Sequence, residues 1–148
     1  MKTLLALITL AIVFATVACS KDKLETKPRI KITEYSSKEL MEGEILTIKL
    51  NYYDKEGDVG LAQMMSRKIR LNNSPPIPPG SYKSDSLDGY LPDFPDKSSG
   101  EISFRLDYNT LDESQVQNDT IQFRFALTDR AGNTSDTILS DVIVIREP

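Results

Sequence analysis

The stretch ILTIKLNYY, residues 45–53, decides the class of fold. Its even-numbered positions carry apolar side chains, and its odd-numbered positions are mostly polar. The apolar positions are Leu46, Ile48, Leu50 and Tyr52. This period of two is typical of a β-strand with one buried face. A second stretch, TIQFRFALT at residues 120–128, alternates in the same way, with Ile121, Phe123, Phe125 and Leu127 on one face.

Similar but shorter patterns predict further strands over residues 29–35, 68–71, 101–108 and 137–145. The last pattern is interrupted near Ser140 and Asp141, which indicates a bulge. Residues 37–41 are predicted to form a single helical turn. Short strands separated by turn signals favour an all-β domain, an immunoglobulin-like or fibronectin III-like antiparallel sandwich of about seven strands.

A long Pro-rich connection, residues 72–100, holds all eight prolines except Pro28 and Pro148. Loops of this length in compact domains are usually functional or disordered. We predict an ordered flap that packs through Leu87, Tyr90, Leu91 and Phe94, with one short extra strand. An alternative use of its aromatic residues is a glycan platform of Tyr82, Tyr90 and Phe94, assisted by Asp85, Asp88 and Asp93.

The chain begins with one Lys and an apolar run from Leu4 to Val17, which is shorter than the roughly 20 residues of a membrane-spanning helix. These are the parts of a secretory signal peptide. Val17-Ala18-Cys19 resembles the lipobox of bacterial lipoproteins, which implies cleavage after residue 18 and acylation of Cys19. Residues 19–28 then form a flexible tether, and residues 29–148 the sandwich. The alternative is a soluble secreted protein with one unpaired thiol.

Composition excludes several function classes. The chain contains no His and a single Cys, so Ser-His-Asp and Cys-His catalysis and the common zinc sites are ruled out. Without Lys2, 17 basic residues face 22 acidic ones. The resulting net charge of −5 argues against nucleic acid as a partner. No carboxylate spacing points to acid-base catalysis, and we expect no enzymatic activity.

Two polar loops are candidates for a cation site. DKEGDVG, residues 54–60, offers alternating carboxylates, but it is not an EF-hand because Val59 and Met65 stand where that motif needs Gly and Glu. DRAGN, residues 129–133, has the composition of a hairpin turn. Each loop by itself is better explained as a structural turn. In the first loop Gly57 and Gly60 would take positive φ, and in the second either Gly132 or Asn133 would supply the left-handed residue.

The expected topology brings the two loops together, since the B–C and F–G loops of an immunoglobulin-type sandwich lie at the same end. Six side chains are therefore candidate Ca²⁺ ligands: Asp54, Glu56, Asp58, Asp129, Asn133 and Asp136. Converging carboxylates repel unless a positive charge lies among them. Either Ca²⁺ or the side chains of Arg130 and Lys55 would supply it. The first strand begins at this same end, so the tether would attach there.

The lipobox, YYDKEGDVGL at residues 52–61 and DTIQFRFALTDRAGNTSDTI at residues 119–138 together resemble the small immunoglobulin-like lipoproteins of Bacteroidota. In these proteins one loop carries Asp-x-x-Gly-Asp-[Ile/Val]-Gly and a later hairpin carries Asp-x-x-Gly-Asn-x-Ser. The resemblance implies the same sandwich fold over residues 28–146. It also implies a lipid anchor in the cell envelope, at the outer membrane. The domain could lie on the periplasmic face or on the outer face of that membrane. Asp85-Ser86-Leu87 is similar to the O-glycosylation acceptor of the same bacteria, with Ser86 as the acceptor.

The sequence thus predicts a membrane-anchored envelope lipoprotein whose immunoglobulin-like domain has a binding or structural role. The alternative function is a calcium-stabilised adhesion or glycan-contact module. A fold of this kind does not itself define a partner. A protein or glycan partner is expected without being identified.

Overall fold

The computed structural model describes residues 26–72, 76–114 and 116–148. The predicted signal peptide, Cys19 and most of the tether lie outside these residues. Within the described residues the chain forms short strands and one helical turn: β1 (Arg29–Tyr35), β2 (Glu39–Leu40), β3 (Ile45–Tyr53), β4 (Gln63–Arg70), β5 (Gly89–Tyr90), β6 (Ser99–Asp107), α1 (Tyr108–Leu111), β7 (Asp119–Thr128), β8 (Ile138–Leu139) and β9 (Ile143–Ile145). No helix among them is long and apolar enough to span a membrane.

The strands form two sheets packed face to face. One sheet has the order β1-β3-β6, and its strands pair antiparallel. The other has the order β2-β9-β7-β4-β5, and β8 also pairs with β7. The short β2 runs parallel to β9, and the remaining pairs are antiparallel. The predicted immunoglobulin-like β-sandwich is therefore confirmed.

The core lies between the inner faces of β3 and β7. The apolar side chains at positions 46, 48 and 50 of β3 and 121, 123, 125 and 127 of β7 are fully buried. Each buried aliphatic or aromatic side chain of this size contributes about 1.5–3 kcal/mol. Phe104 of β6 packs edge-on against Phe123 and Phe125, with ring centroids 5.6 and 5.0 Å apart. The period-two pattern of these two strands is confirmed.

Three local predictions need correction. The helical turn predicted over residues 37–41 is wrong, because Leu40 is buried in a short strand that crosses to the second sheet and pairs with Ile145. The strand predicted over 68–71 begins earlier, at Gln63. The strand predicted over 101–108 ends at Asp107, whose carboxylate accepts a hydrogen bond from the Thr110 N–H and caps α1.

The predicted interruption near Ser140 and Asp141 separates β8 from β9. Ser140 is buried, and its Oγ accepts a hydrogen bond from the Phe123 N–H at 2.9 Å. The Ser140 N–H donates to Phe123 O at 2.9 Å, so the side chain replaces only one of the two backbone hydrogen bonds at this position beside β7. The break is therefore an irregularity of the last strand at which Ser140 keeps its hydrogen bonds to β7, similar to a β-bulge.

The long connection contains β5, which pairs with the start of β4 as the predicted extra strand. Leu87, Leu91 and Phe94 pack against the core, which confirms their predicted role. Tyr90 does not pack there, since 76% of its surface is exposed. Backbone bonds from Leu87 N–H to Ser66 O and from Leu91 N–H to Ala62 O fix the segment beside β4.

The ends of the domain are oriented as predicted. Arg29 pairs with Tyr53 at the end of β3, so β1 begins beside the loop that follows β3. Lys27 forms an ion pair with Asp136, which follows the loop after β7. The end of β9 pairs with the start of β7 at the opposite end of the sandwich. The first described residues therefore lie at the end of the domain that carries both candidate loops.

Candidate acidic site between two loops

The first loop, residues 54–62, begins where β3 ends. The Asp54 N–H donates to Ser98 O at 2.8 Å, and the Lys97 N–H donates to Gly57 O at 3.0 Å. Gly57 has a φ of 76°, and a Cβ there would lie 3.1 Å from the backbone of Lys97. Glycine is needed at this position both for its backbone conformation and for the close approach. The positive φ predicted for Gly60 is wrong, and the next residue, Leu61, has a φ of 63° instead. The end of the long connection thus holds the first loop in place.

The second loop, residues 129–133, is a tight hairpin turn. The Asp129 N–H donates to Asn133 O at 3.0 Å, and Gly132 has a φ of 89°. The Asp129 carboxylate accepts hydrogen bonds from the Asn133 N–H at 2.8 Å and from Asn133 Nδ2 at 3.0 Å. These are the contacts expected of a structural turn. They also orient the carboxylate of Asp129.

The two loops meet at three carboxylates. Asp54, Asp58 and Asp129 each place an oxygen within 4.8 Å of the other two. Asp58 bridges the loops, since its carbonyl oxygen accepts from the Arg130 N–H at 3.2 Å and its Oδ2 accepts from the Ala131 N–H at 3.1 Å. Asp54 is fully buried and Asp129 is 5% exposed. The cluster is therefore built into the junction of the loops.

Two oxygens of this cluster are unsatisfied. Asp54 Oδ2 accepts from the Asp58 N–H at 3.0 Å, but Asp54 Oδ1 and Asp58 Oδ1 are buried and have no hydrogen-bond partner among the described residues. Burying a polar atom without a partner is costly, and most such atoms in proteins are satisfied. Burial raises the pKa of Asp54, and the Asp58 carboxyl raises it further against the opposing backbone N–H bonds. The pair thus has a strong requirement for a proton or a cation.

The other predicted ligands lie outside the cluster. Glu56 is exposed. Asp136 is exposed and paired with Lys27. Asn133 uses its side-chain amide to hold Asp129. The alternative in which Arg130 supplies the positive charge is not realised, because its guanidinium pairs with Asp96 on the long connection. Lys55 is exposed.

The chemistry of the three carboxylates fits a hard cation. Ca²⁺ takes six to eight oxygen ligands, mainly carboxylates, carbonyls and water, and Mg²⁺ takes fewer with stricter geometry. An all-oxygen donor set does not favour the softer transition metals. Three carboxylates would supply the protein share of such a site, and water would complete it.

The residues of the predicted glycan platform do not come together. Tyr90 lies at the Gln63 end of β4, whereas Tyr82 lines a depression beside Ile69 and Arg70 at the other end of that strand. Phe94 is half-buried against Tyr52, with ring centroids 6.2 Å apart. Phe94 thus fixes the loop, and it forms part of the wall of a groove of about 510 Å³ beside β6.

The acidic residues that were expected to assist a glycan have other environments. Asp88 accepts hydrogen bonds from the Ser66 N–H at 2.9 Å and from Ser86 Oγ at 3.0 Å. Asp85 uses its carbonyl oxygen to accept from the Lys68 N–H, and Asp93 is exposed. Ser86, the predicted O-glycosylation acceptor, is also exposed. Modification of Ser86 stays a prediction.

Sequence reasoning missed a network of buried charges at the opposite end of the domain. The ammonium of Lys68 is fully buried and lies 2.9 Å from Glu113 Oε1. Arg70 Nε lies 2.7 Å from Asp119 Oδ1. The sequence offers one signal for these charges, a Lys at an inward-facing position of β4. A strand predicted only over residues 68–71 is too short to show that Lys68 faces inward.

These features define the class of the protein as an immunoglobulin-like β-sandwich domain with an acidic cluster at one end. No protein-family model and no curated protein matches the sequence. Similar solved structures include a sporulation control protein from Bacillus subtilis, at 9% identity and a TM-score of 0.45, over 82% of this chain and 50% of that one. They also include a cohesin module of a Clostridium perfringens family 33 glycoside hydrolase, at 15% identity and a TM-score of 0.40, over 83% and 99%.

A β-glucosidase from Listeria innocua is similar at 12% identity and a TM-score of 0.40, over 81% of this chain and 16% of that one. The chain therefore spans half or less of the length of two of these three proteins. Similarities at this level carry no argument about function. The class rests on the sheets and core described above.

Proposed function

We propose that this protein is a lipid-anchored module of the bacterial cell envelope whose immunoglobulin-like domain binds one Ca²⁺ at Asp54, Asp58 and Asp129. The cation stabilises the end of the domain that faces the membrane. The role is structural or adhesive, without catalysis. The observation that carries the proposal is the fully buried Asp54, whose unpaired Oδ1 lies in a cluster with two further carboxylates.

Electrostatics support a bound cation. Two unit charges 4.8 Å apart, the distance within which the three oxygens lie, repel by about 3.5 kcal/mol at an effective dielectric constant near 20. Three carboxyl groups this close together cannot all be ionised at low cost without a counter-charge. A proton on Asp54, whose pKa is raised, relieves part of the repulsion at low pH, and a divalent cation relieves it at neutral pH.

The position of the site supports a role at the joint between tether and domain. The cluster begins at Asp54, directly after Tyr53, which pairs with Arg29 at the start of β1. Lys27, two residues before β1, is tied to Asp136 near the second loop. A cation that fixes both loops would therefore fix the point where the domain leaves its anchor.

The lipid anchor is supported by the N-terminal sequence. Each buried methylene of an acyl chain contributes about 0.8 kcal/mol, and stable anchoring needs more than one chain. Acylation of Cys19 would hold the domain on the outer membrane through about nine tether residues. The test is the Cys19→Ser variant, which should move from the membrane pellet to the soluble fraction. An unchanged distribution would refute the anchor and leave the cation site intact.

The test of the cation site is a pair of thermal unfolding curves of the purified protein, in EGTA and in millimolar CaCl₂. A ligand that binds only the folded state raises its stability by mass action. We expect a higher Tm with Ca²⁺ in the native protein and in Glu56→Ala and Asp136→Ala, whose side chains lie outside the cluster. The Asp129→Asn variant should lose the gain. Equal Tm values in both buffers for the native protein would refute the site.

A further inference from the structure

Two arginines face each other on the outer surface of the second sheet. Arg67 of β4 and Arg124 of β7 are direct cross-strand partners, and both are exposed. Side chains in this relation have Cβ atoms about 4.5–5.5 Å apart, and like charges there are unfavourable. Neither guanidinium has an acidic partner among the residues that the structure describes, whereas Arg70 and Arg130 are both paired.

The arginine pair lies in a depression of about 270 Å³. The next cross-strand pair, Met65 and Ala126, supplies an apolar floor, and Thr137 lies on the β8 side. Ser86 forms the opposite wall, where its backbone bridges to Arg67. The depression thus combines an apolar surface with two guanidinium groups and two hydroxyl groups.

The one carboxylate that lines the depression, Asp88, is already hydrogen-bonded within it. Its Oδ1 accepts from the Ser66 N–H and its Oδ2 from Ser86 Oγ, at 2.9 and 3.0 Å. The wall itself is held to β4 by the bonds Lys68 N–H to Asp85 O and Leu87 N–H to Ser66 O, at 2.8 and 2.9 Å. Among the residues that line the depression, two guanidinium groups and one carboxylate give a net charge of +1, on a protein whose overall charge is negative.

We propose that Arg67 and Arg124 bind the oxyanion of a small acidic ligand, a carboxylate or phosphate group carried on a monosaccharide. The planar donors of Arg match such groups in a two-pronged geometry. A volume of about 270 Å³ lies just below the range of drug-sized pockets and suits a ligand of one sugar unit. The bound anion also removes the repulsion between the paired guanidinium groups. The site is independent of the acidic cluster.

The test is a titration of the purified protein with D-glucuronate, D-glucose 6-phosphate and neutral D-glucose, monitored by calorimetry. One or both anions should bind saturably and glucose should not, and the better anion identifies the preferred oxyanion. Arg67→Gln and Arg124→Gln should each weaken binding by about tenfold or more, because each removes a charged hydrogen-bond donor.

The matched control is Arg105→Gln, which removes an exposed arginine from β6 on the other sheet and should leave the affinity unchanged. Equal weakening in this control would show that the anion responds to overall charge, and the proposal would be wrong. Saturable binding of glucose with the same affinity would also overturn it, as would no saturable binding of either anion at millimolar concentrations. Far-ultraviolet circular dichroism of each variant verifies that the sheet is intact.

Discussion

The substitution Asp54→Asn should have opposite effects on stability with and without Ca²⁺. Asp54 is fully buried, and the pKa of its carboxyl is raised by burial and by the Asp58 carboxyl. A carboxyl with a raised pKa contributes stability below its ordinary pKa of 3.8, and this contribution is lost as the pH rises through the folded-state value. Asn is neutral at every pH and has nearly the same shape. In EGTA at pH 7 the variant should therefore be more stable than the native protein.

With Ca²⁺ the order should reverse. A ligand at 100 times its dissociation constant stabilises the folded state by about 2.7 kcal/mol. For a domain of this size that free energy corresponds to a rise in Tm on the order of 10 °C. Asp54→Asn removes the only carboxylate of the cluster that is completely buried, so most of this gain should disappear. The native protein should then be the more stable of the two.

The assay is urea unfolding of both proteins at pH 7, in EGTA and in CaCl₂, with Glu56→Gln as a control for a general loss of negative charge. Relative to the native protein, Asp54→Asn should have the higher unfolding midpoint in EGTA and the lower one in CaCl₂. For Glu56→Gln the midpoint should shift between the two buffers by the same amount as for the native protein. If Asp54→Asn is less stable than the native protein in EGTA, the carboxyl is satisfied in the absence of metal. The unpaired oxygen of Asp54 would then give no reason for a bound cation.

Three further predictions concern the rest of the domain. Lys68→Met should lower the free energy of unfolding by about 3 kcal/mol in urea titrations, because it leaves the buried carboxylate of Glu113 without its charged partner and with the Lys83 N–H as its remaining donor; a smaller loss than Arg105→Gln causes would contradict the buried pair. Burial raises the pKa of Glu147 from 4.5 to about 7, so Glu147→Gln should reduce the loss of stability between pH 4.5 and pH 7 measured by thermal unfolding; an unchanged pH profile would contradict this shift. Gly60→Ala should lower the free energy of unfolding in urea by about 1–3 kcal/mol, because the added Cβ would lie 2.8 Å from the carbonyl oxygen of Phe94. An unchanged free energy of unfolding would show that the long connection does not pack this closely against the first loop.

The strands that the sequence predicts well are those with one fully apolar face. β3 and β7 each alternate over eight or more positions, and their inner faces form the core. β4 is underestimated because Ser66 and Lys68 point inward, where Ser66 hydrogen bonds to the long connection and Lys68 meets Glu113. β2 is missed because two residues carry no periodicity. Its pairing with β9 is a long-range contact that local pattern does not encode.

The convergence of the two loops could be predicted from topology alone, since it follows from their places in the sandwich. The identity of the side chains that enter the site could not be predicted in this way. Glu56 and Asp136 have the same chemistry as the cluster residues, but the direction of each side chain depends on the conformation of its turn. The pairing of Arg67 with Arg124 also required the register between β4 and β7, because a shift of one residue would place one of them on the buried face.

The most direct test of the central claim is the amount of Ca²⁺ bound by the purified, decalcified protein after equilibrium dialysis, measured by atomic absorption. The three-carboxylate site predicts one Ca²⁺ per chain in the native protein and in Asp136→Ala, and essentially none in Asp54→Asn. A native protein that binds no Ca²⁺, or an Asp54→Asn variant that still binds one, would contradict the assignment of the site to Asp54, Asp58 and Asp129.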